Sequence, residues 1–406
     1  MRNILRVSVF VLLLFPHLTG FAQFCSNDHR FSEAEYYTDA QIDSLKNVPY
    51  GYAIDWQGAM DTLLMDFYFP DTTIDPLPLR PAVVIIHGGG FQIGNKASWR
   101  KETIAFAKRG YVAITINYRL GWNTAQPFDQ VLAMYRAQQD AHAALRFIVN
   151  QADSLRIDPD WLFIGGGSAG AITSLNTVYA DQAEWNTLIP GIETLLGSLD
   201  TSGNSLTDTF SLNGIFNNWG AINYSLVQPQ EMVPMASFHG DQDLTVLIDS
   251  GMNGLIGSRV IHDALVANGV CSDLLVKPGG GHGIYRDANG INLRVGRASC
   301  LFKSVFCNNC TSFYSTDSIP AECSLLTSFP DEGLPQKVTV YPNPFETGIQ
   351  LEGLLGDEEL VLYNISGQMV GSGEEWLRIG LTSLPKGMYL LVIRRNEDTQ
   401  SIRLVK

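Results

Sequence analysis

The sequence predicts an α/β fold, a mostly parallel sheet with helices on both faces, followed by a small antiparallel β-domain. Apolar runs of strand character recur between residues 62 and 278, segments with helical spacing fall between them, and after Cys323 the pattern changes to period-two alternation.

The strand-like runs are TLLMDFYF (62–69), AVVIIH (82–87), YVAITINY (111–118), WLFI (161–164), SLNGIF (211–216), PMASFH (234–239) and DLLVKP (273–278). Helical spacing marks SWRKETIAFAKRG, QVLAMYRAQQDAHAALRFIVNQA, AITSLNTVYA and GSRVIHDALVANG, the last closed by a glycine. Ligands of such sheets sit at the carboxyl ends of the strands, and His87, Ser168, His239 and Asp243 all stand at or just after a strand end. Residues 181–210 mix apolar and turn-forming residues, which fits either a small cap or an ordinary surface excursion. Beyond the linker-like SLLTSFPDEGLPQ come KVTVYP, ELVLYN, WLRIGL, MYLLVIRR and QSIRLVK, short alternating runs separated by turn residues.

Composition narrows the function classes. The 406-residue chain carries 27 Lys+Arg against 41 Asp+Glu, a net charge of −14 that would repel nucleic acid or an anionic membrane over most of the surface. Residues 1–22 pair Arg2 and Arg6 with an apolar core from Val7 to Phe15 and small residues Gly20 and Ala22. This is the order of an export signal, and the core is well short of the roughly 20 apolar residues of a spanning helix. Six cysteines in an exported chain imply structural disulfides, with the pairing open; Cys307-Asn-Asn-Cys310 lacks the second C-x-x-C and nearby His of a zinc site.

The stretch FIGGGSAGA (163–171) fits two chemistries. Gly165, Gly167 and Gly170 spell G-x-G-x-x-G, a dinucleotide fingerprint, while Gly166, Ser168 and Gly170 spell G-x-S-x-G, a nucleophile elbow. A dinucleotide site needs a further strand ending in an acid about 20 residues on. Asp181 and Glu184 follow no apolar strand, which disfavours it. A serine attacking an ester needs N–H donors aimed at the oxyanion, and HGGGF (87–91) directly after AVVII supplies backbone free of side chains. Gly89 and Gly90, with the N–H of Ala169, are the expected donors. The serine also needs a base and a carboxylate in the chain order Ser, acid, His. His239 precedes the candidate acids and His262 falls inside an expected helix, so His282 in GGGHG is the base; Asp241 and Asp243 both stand in FHGDQD. His87 and His239 are read as strand-end or loop-stabilising residues.

PAVVIIHGGGFQIG, INYRLG, GGGSAGA, HGDQD and GGGHG, in this order over residues 60–300, resemble the α/β-hydrolase superfamily, nearest to secreted carboxylesterases of the hormone-sensitive-lipase and type-B kinds. The resemblance implies Ser168 as nucleophile, Asp243 (by the HG-x-x-D spacing, leaving Asp241 a solvent-facing turn residue) as the acid, His282 as base, Gly89, Gly90 and Ala169 as oxyanion hole, and no metal or organic cofactor. One departure stands out. Relatives commonly carry Asp or Glu before the serine, where this chain has Gly167. HGDQD and GGGHG also resemble prolyl-oligopeptidase-type peptidases, but fewer than 90 residues precede HGGGF, too few for that branch's β-propeller. A non-catalytic binding protein on the same fold would be expected to lack a triad member. Ester substrates could be acetyl, feruloyl, short-chain lipid or polyester; Trp122 and Phe91 could line a pocket or simply pack.

VTVYPNPF, LYNISGQMV, LPKGMYLLVI and IRLVK resemble the C-terminal sorting domain of type IX secretion cargo, which implies that export machinery as a partner and a secreted or cell-surface location; a carbohydrate-binding or adhesive module is the other reading. The expected organisation is an export signal (1–22), an N-terminal extension (23–58), a catalytic domain (59–312), a linker (313–335) and the sorting domain (336–406).

Overall fold

The computed structural model describes residues 24 to 316, apart from 26 to 28, 33, 252 and 253, and most of residues 338 to 406. The expected export signal and residues 317–337, with Cys323, lie outside the described residues. The chain divides into two compact units, Met1–Thr327 and Ser328–Lys406.

In chain order the first unit runs β1 (Ile42–Ile54), β2 (Met60–Pro70), β3 (Arg80–Ile86), α1 (Arg100–Ala107), β4 (Val112–Ile116), α2 (Asp129–Asn150), α3 (Ala152–Leu155), β5 (Ile157–Gly167), α4 (Ala169–Tyr179), α5 (Gln182–Leu188), α6 (Ile192–Leu196), β6 (Leu212–Asn218), β7 (Ala221–Asn223), β8 (Met235–Gly240), β9 (Leu255–Gly257), α7 (Ser258–Ala267), β10 (Ser272–Lys277), α8 (Ala288–Phe306) and β11 (Phe313–Thr316). One sheet has the strand order β1-β2-β4-β3-β5-β6-β8-β10-β11. The β1–β2 and β2–β4 pairs are antiparallel and the remaining pairs parallel.

The central strands are buried on both faces, as continuous Val/Ile runs require. Along β3, Ala82, Val84 and Ile86 enter the core layer shared with Tyr135 and Leu145 of α2 and Leu175 of α4; Val83 and Ile85 enter the opposite layer with Phe106 of α1 and Val295 and Phe302 of α8. Strand alternation thus feeds two cores from one run of apolar residues.

All seven expected strands form, and the sheet reaches beyond the expected 59–312 span at both ends. β1 arises within the expected N-terminal extension; it is an edge strand buried only near its end, and it carries Pro49, which an edge tolerates. β11, at the start of the expected linker, forms the opposite edge. Helix α8 is not among the expected helices, and it carries Gly290 and Gly296 inside it. It starts on Asp287, whose carboxylate accepts the Gly290 N–H at 2.7 Å, and is held by packing. The 181–210 stretch is a tied-down excursion: Asn204 Nδ2 donates to Tyr50 O and Ala143 O, both at 2.8 Å, and Arg146 Nη2 donates to Ser202 O at 2.7 Å.

Cys25 bonds to Cys307 and Cys271 to Cys310, and Cys300 is also disulfide-bonded. The two cysteines of the C-x-x-C motif therefore serve different bridges, as structural cysteines do. The first bridge ties the segment before β1 to the end of α8, where Phe24 and Phe31 pack on Phe306 with ring centroids 5.5 Å apart in each pair.

The second unit contains β12 (Thr339–Tyr341) paired with β13 (Gln350–Glu352), and a four-stranded antiparallel sheet of β14 (Glu359–Asn364), β15 (Met369–Ser372), β16 (Met388–Arg395) and β17 (Asp398–Val405) in the order β15-β14-β16-β17. Leu360, Leu362, Tyr389, Leu391 and Ile393 alternate into its core, as the period-two runs predict.

Candidate active site

Strand β5 runs straight into α4 through Ser168, whose backbone is left-handed at φ +55°, ψ −122°. A side chain at Gly166 or Gly170 would overlap the Ile86 carbonyl, so only glycine lets the turn close this tightly against β3. The Ser168 N–H donates to Asn218 O at 2.9 Å, and its carbonyl accepts the Ile172 N–H at 2.9 Å. Such a conformation costs about 1–3 kcal/mol and persists where the surroundings over-determine it.

The loops after β8 and β10 bring the other two residues to it. His282 Nε2 lies 2.9 Å from Ser168 Oγ, and His282 Nδ1 lies 2.7 Å from Asp243 Oδ2. With Nδ1–H donating to the carboxylate, Nε2 is left to accept the serine proton. The two loops are joined directly. The Gln242 N–H donates to Gly280 O at 2.9 Å, and the Gly279 N–H donates to Asp241 Oδ1 at 2.7 Å. Asp241 is exposed but is more than a solvent-facing turn residue, because its carboxylate holds the loop that carries His282.

Asp243 is buried, with Oδ1 accepting the N–H groups of Thr245 and Val246 at 2.8 and 3.0 Å. Burial alone would raise its pKa, yet hydrogen bonds from His239, Val246, His282 and Thr245 hold it well below the usual carboxylate range. His239 is the strand-end, loop-stabilising residue expected, and it also supports the acid: fully buried, its Nε2 donates to Val246 O at 2.8 Å and lies 3.3 Å from Asp243 Oδ2, while Nδ1 accepts from Ser258 Oγ at 2.7 Å. Its position four residues before the acid was the available signal. His262 lies in α7, with Nδ1 2.8 Å from Ser272 Oγ, away from the serine's partners.

The HGGGF loop lies on the elbow, since a Cβ at Gly88 would come 2.6 Å from Gly167 O and 3.3 Å from Ser168 Cβ. Its five successive carbonyls are all taken. His87 O accepts from Tyr118 Oη (3.0 Å), Gly88 O from His87 Nδ1 (2.8 Å), Gly89 O from the N–H groups of Gln92 and Ile93 (both 3.1 Å), Gly90 O from Trp122 Nε1 (3.0 Å), and Phe91 O from the Gly121 N–H (2.7 Å). Gly89 and Gly90 take φ of +121° and +63°, open to glycine. Trp122 thus bonds to the glycine loop, and Phe91 is buried packing against Tyr118, ring centroids 6.3 Å apart. His87 stacks on Tyr118 at 4.4 Å, and burial pushes its pKa down to about 4. Ala169 opens α4 immediately after the serine.

The glycine before the serine has a visible cause. A side chain at Gly167 would overlap the indole of Trp99, whose ring lies 6.0 Å from that of Trp219; Trp219 in turn lies 6.2 Å from the His282 ring. Aromatic cover occupies the space a side chain at this position would need. Among the described residues, no group of three or more His, Cys, Asp and Glu is arranged to hold a metal ion.

Residues 65–250 match the BD-FAE family model, a span from β2 through Ser168 and Asp243. The first unit has an α/β-hydrolase fold and is similar to that family over this span. His282 and α8 lie beyond the matched span. Residues 339–406 match the secretion system C-terminal sorting domain, so the second unit is a sorting domain. The hydrolase is 36% identical over 117 residues to venom carboxylesterase-6 of Apis mellifera, covering 28% of this chain and 20% of that protein. It is 32% identical over 124 residues to neuroligin-like protein glit-1 of Caenorhabditis elegans, covering 30% and 16%. It therefore spans about a fifth or less of the length of these curated relatives. Among solved structures it resembles the propionate-bound esterase Est2 of Thermogutta terrifontis, at 22% identity and a TM-score of 0.47, covering 64% of this chain and 93% of that one.

Proposed function

We propose that the protein is a secreted serine esterase that hydrolyses carboxylic esters through an acyl-enzyme. The observation that carries this reading is the continuous chain from Ser168 Oγ to His282 at 2.9 Å and on to Asp243 at 2.7 Å. Ser168 Oγ attacks the ester carbonyl as its proton passes to His282 Nε2. The carbonyl oxygen, now an oxyanion, takes the N–H groups of Gly89, Gly90 and Ala169. Collapse expels the alcohol, which receives the proton from His282, and leaves Ser168 acylated. His282 then takes a proton from water, the hydroxide attacks the acyl carbon, and Ser168 departs as the acid is released, regaining its proton from His282. Asp243 stays ionised throughout and stabilises the imidazolium.

The resemblance of the catalytic unit to proteins named carboxylesterases supports ester over amide substrates. Its C-terminal sorting domain supports export by the type IX machinery to the cell surface or medium. The test is turnover of p-nitrophenyl acetate and butyrate beside a Xaa-Pro p-nitroanilide, for wild type and Ser168→Ala. Ester turnover that vanishes in the variant is expected; activity confined to the anilide would instead make the protein a peptidase. Removal of residues 336–406 is expected to leave an active enzyme inside the cell envelope of a host that exports the full chain.

A further inference from the structure

Ser168, Trp219 and Tyr285 are three non-glycine residues held in left-handed backbone, at φ +55°, +46° and +52°. They belong to the elbow, to the end of β6 and to the loop just after His282. One fully buried side chain reaches the second and third of these segments directly and the elbow through Asn218. Arg294, on α8, donates from Nη1 to Asn218 Oδ1 at 2.7 Å and from Nε to Tyr285 O at 3.0 Å; its Nη2 pairs with Glu102 Oε1 of α1 at 2.7 Å. Its guanidinium carbon lies 5.4 Å from the Trp99 ring and 5.3 Å from the Trp219 ring.

Asn218 passes this on to the serine. Because Arg294 can only donate, Asn218 must turn its oxygen toward it. The amide nitrogen then faces the elbow, where it donates to Gly166 O at 2.8 Å. The Asn218 carbonyl accepts the Ser168 N–H at 2.9 Å. The cation therefore fixes the amide that fixes the elbow, and with another nitrogen it fixes the backbone three residues beyond His282. Glu102 balances the charge inside the core, as a buried guanidinium requires.

We propose that Arg294 is a positioning residue for catalysis: it sets the register between Ser168 and His282 by bonding to Asn218, which holds the elbow, and to the Tyr285 carbonyl in the loop that carries His282. This rests on the serine-esterase reading above. A lysine cannot replace it, since one ammonium on a flexible stem does not reproduce the planar fork of three directed donors.

The experiment compares Arg294→Lys, Arg294→Met and Asn218→Asp with a matched control, Arg109→Met. Arg109 is also a buried arginine, in the layer between α1 and α8, but it bonds to Ala105 O at 2.8 Å and not to the elbow. Asn218→Asp keeps an acceptor for Arg294 and loses the donor to Gly166, so it reports on positioning with the ion pair intact. Each variant is titrated with a p-nitrophenyl phosphonate to count competent serines, and kcat per titrated site and KM are measured on p-nitrophenyl butyrate. All three test variants are expected to lose 30-fold or more in kcat per site, on the order of 2 kcal/mol at 1.4 kcal/mol per tenfold, with KM within threefold of wild type. Arg109→Met is expected to lose thermal stability and keep its kcat per site. Wild-type kcat per site in Asn218→Asp, or in Arg294→Lys, would overturn the proposal, because the cation would then serve stability alone. Wild-type activity surviving Ser168→Ala would instead overturn the esterase reading and leave the Arg294 comparison without a serine to position.

Discussion

Gly167 is covered by the indole of Trp99, and no side chain fits between the two. The sequence shows only a glycine before the serine, where the resemblance to the α/β-hydrolases implies an acid. The packing supplies the reason: Trp99 and Trp219 form an aromatic wall beside the elbow, and the residue under it has to be glycine.

Restoring the acid is expected to harm the protein. Gly167→Asp should destabilise by about 1–3 kcal/mol through overpacking and lower kcat by displacing Ser168. Trp99→Ala/Gly167→Asp should be less destabilised than the sum of its parts, with a coupling of at least about 1 kcal/mol in a double-mutant cycle. Urea midpoints of the four proteins measure this, and additive losses would show that Trp99 does not dictate the glycine.

Trp122 is expected to act on rate more than on stability. Its indole N–H holds the Gly90 carbonyl at 3.0 Å, beside the amides proposed to bind the oxyanion. Trp122→Phe removes one hydrogen bond of about 0.5–1.5 kcal/mol, so kcat on p-nitrophenyl butyrate should fall about 2- to 10-fold. A change in KM alone would assign Trp122 to the substrate pocket instead.

His87 gives the fold a pH dependence with a definite sign. Its pKa falls from the ordinary 6.5 to about 4 on burial, so as pH drops the unfolded chain takes the proton first. The stability it contributes is complete above pH 6.5 and is lost as pH falls toward 4, a total on the order of 3 kcal/mol. Buried His262 shifts in the same direction, while the depressed Asp243 acts only at lower pH. His87→Asn, which keeps a donor for Gly88 O, should therefore shrink the difference in urea stability between pH 7.5 and pH 4.5. An unchanged difference would mean that His87 is protonated in the folded protein.

The Cys25–Cys307 bridge should matter for stability and little for turnover. Cys25→Ser is expected to cost about 2–5 kcal/mol with kcat per folded enzyme unchanged, and Cys25→Ser/Cys307→Ser should cost no more than the single variant. Thermal melting of the three proteins checks this.

Strand-like and helix-like periodicity made the sheet legible from β2 to β10, because those strands are buried on both faces and their apolar runs are continuous. The edges were not. β1 buries few of its residues and β11 is four residues long, so neither leaves a strong hydrophobic signature. The serine, its base and the glycine loop each carried a local motif, and chain order sorted the histidines. Asp241 and Arg294 could not be read in the same way. Their importance lies in contacts between segments that are far apart in sequence, such as the 76 residues separating Arg294 from Asn218, and no local pattern records which carbonyl or amide a buried polar group will meet.

The most direct test of the central claim is peptide mass mapping after labelling with a fluorophosphonate, run alongside residual esterase activity. The account predicts one stoichiometric adduct, on the tryptic peptide containing Ser168, rising in step with the loss of activity and missing in Ser168→Ala. Full activity after complete labelling of Ser168, or inactivation with the adduct on another residue, would contradict it.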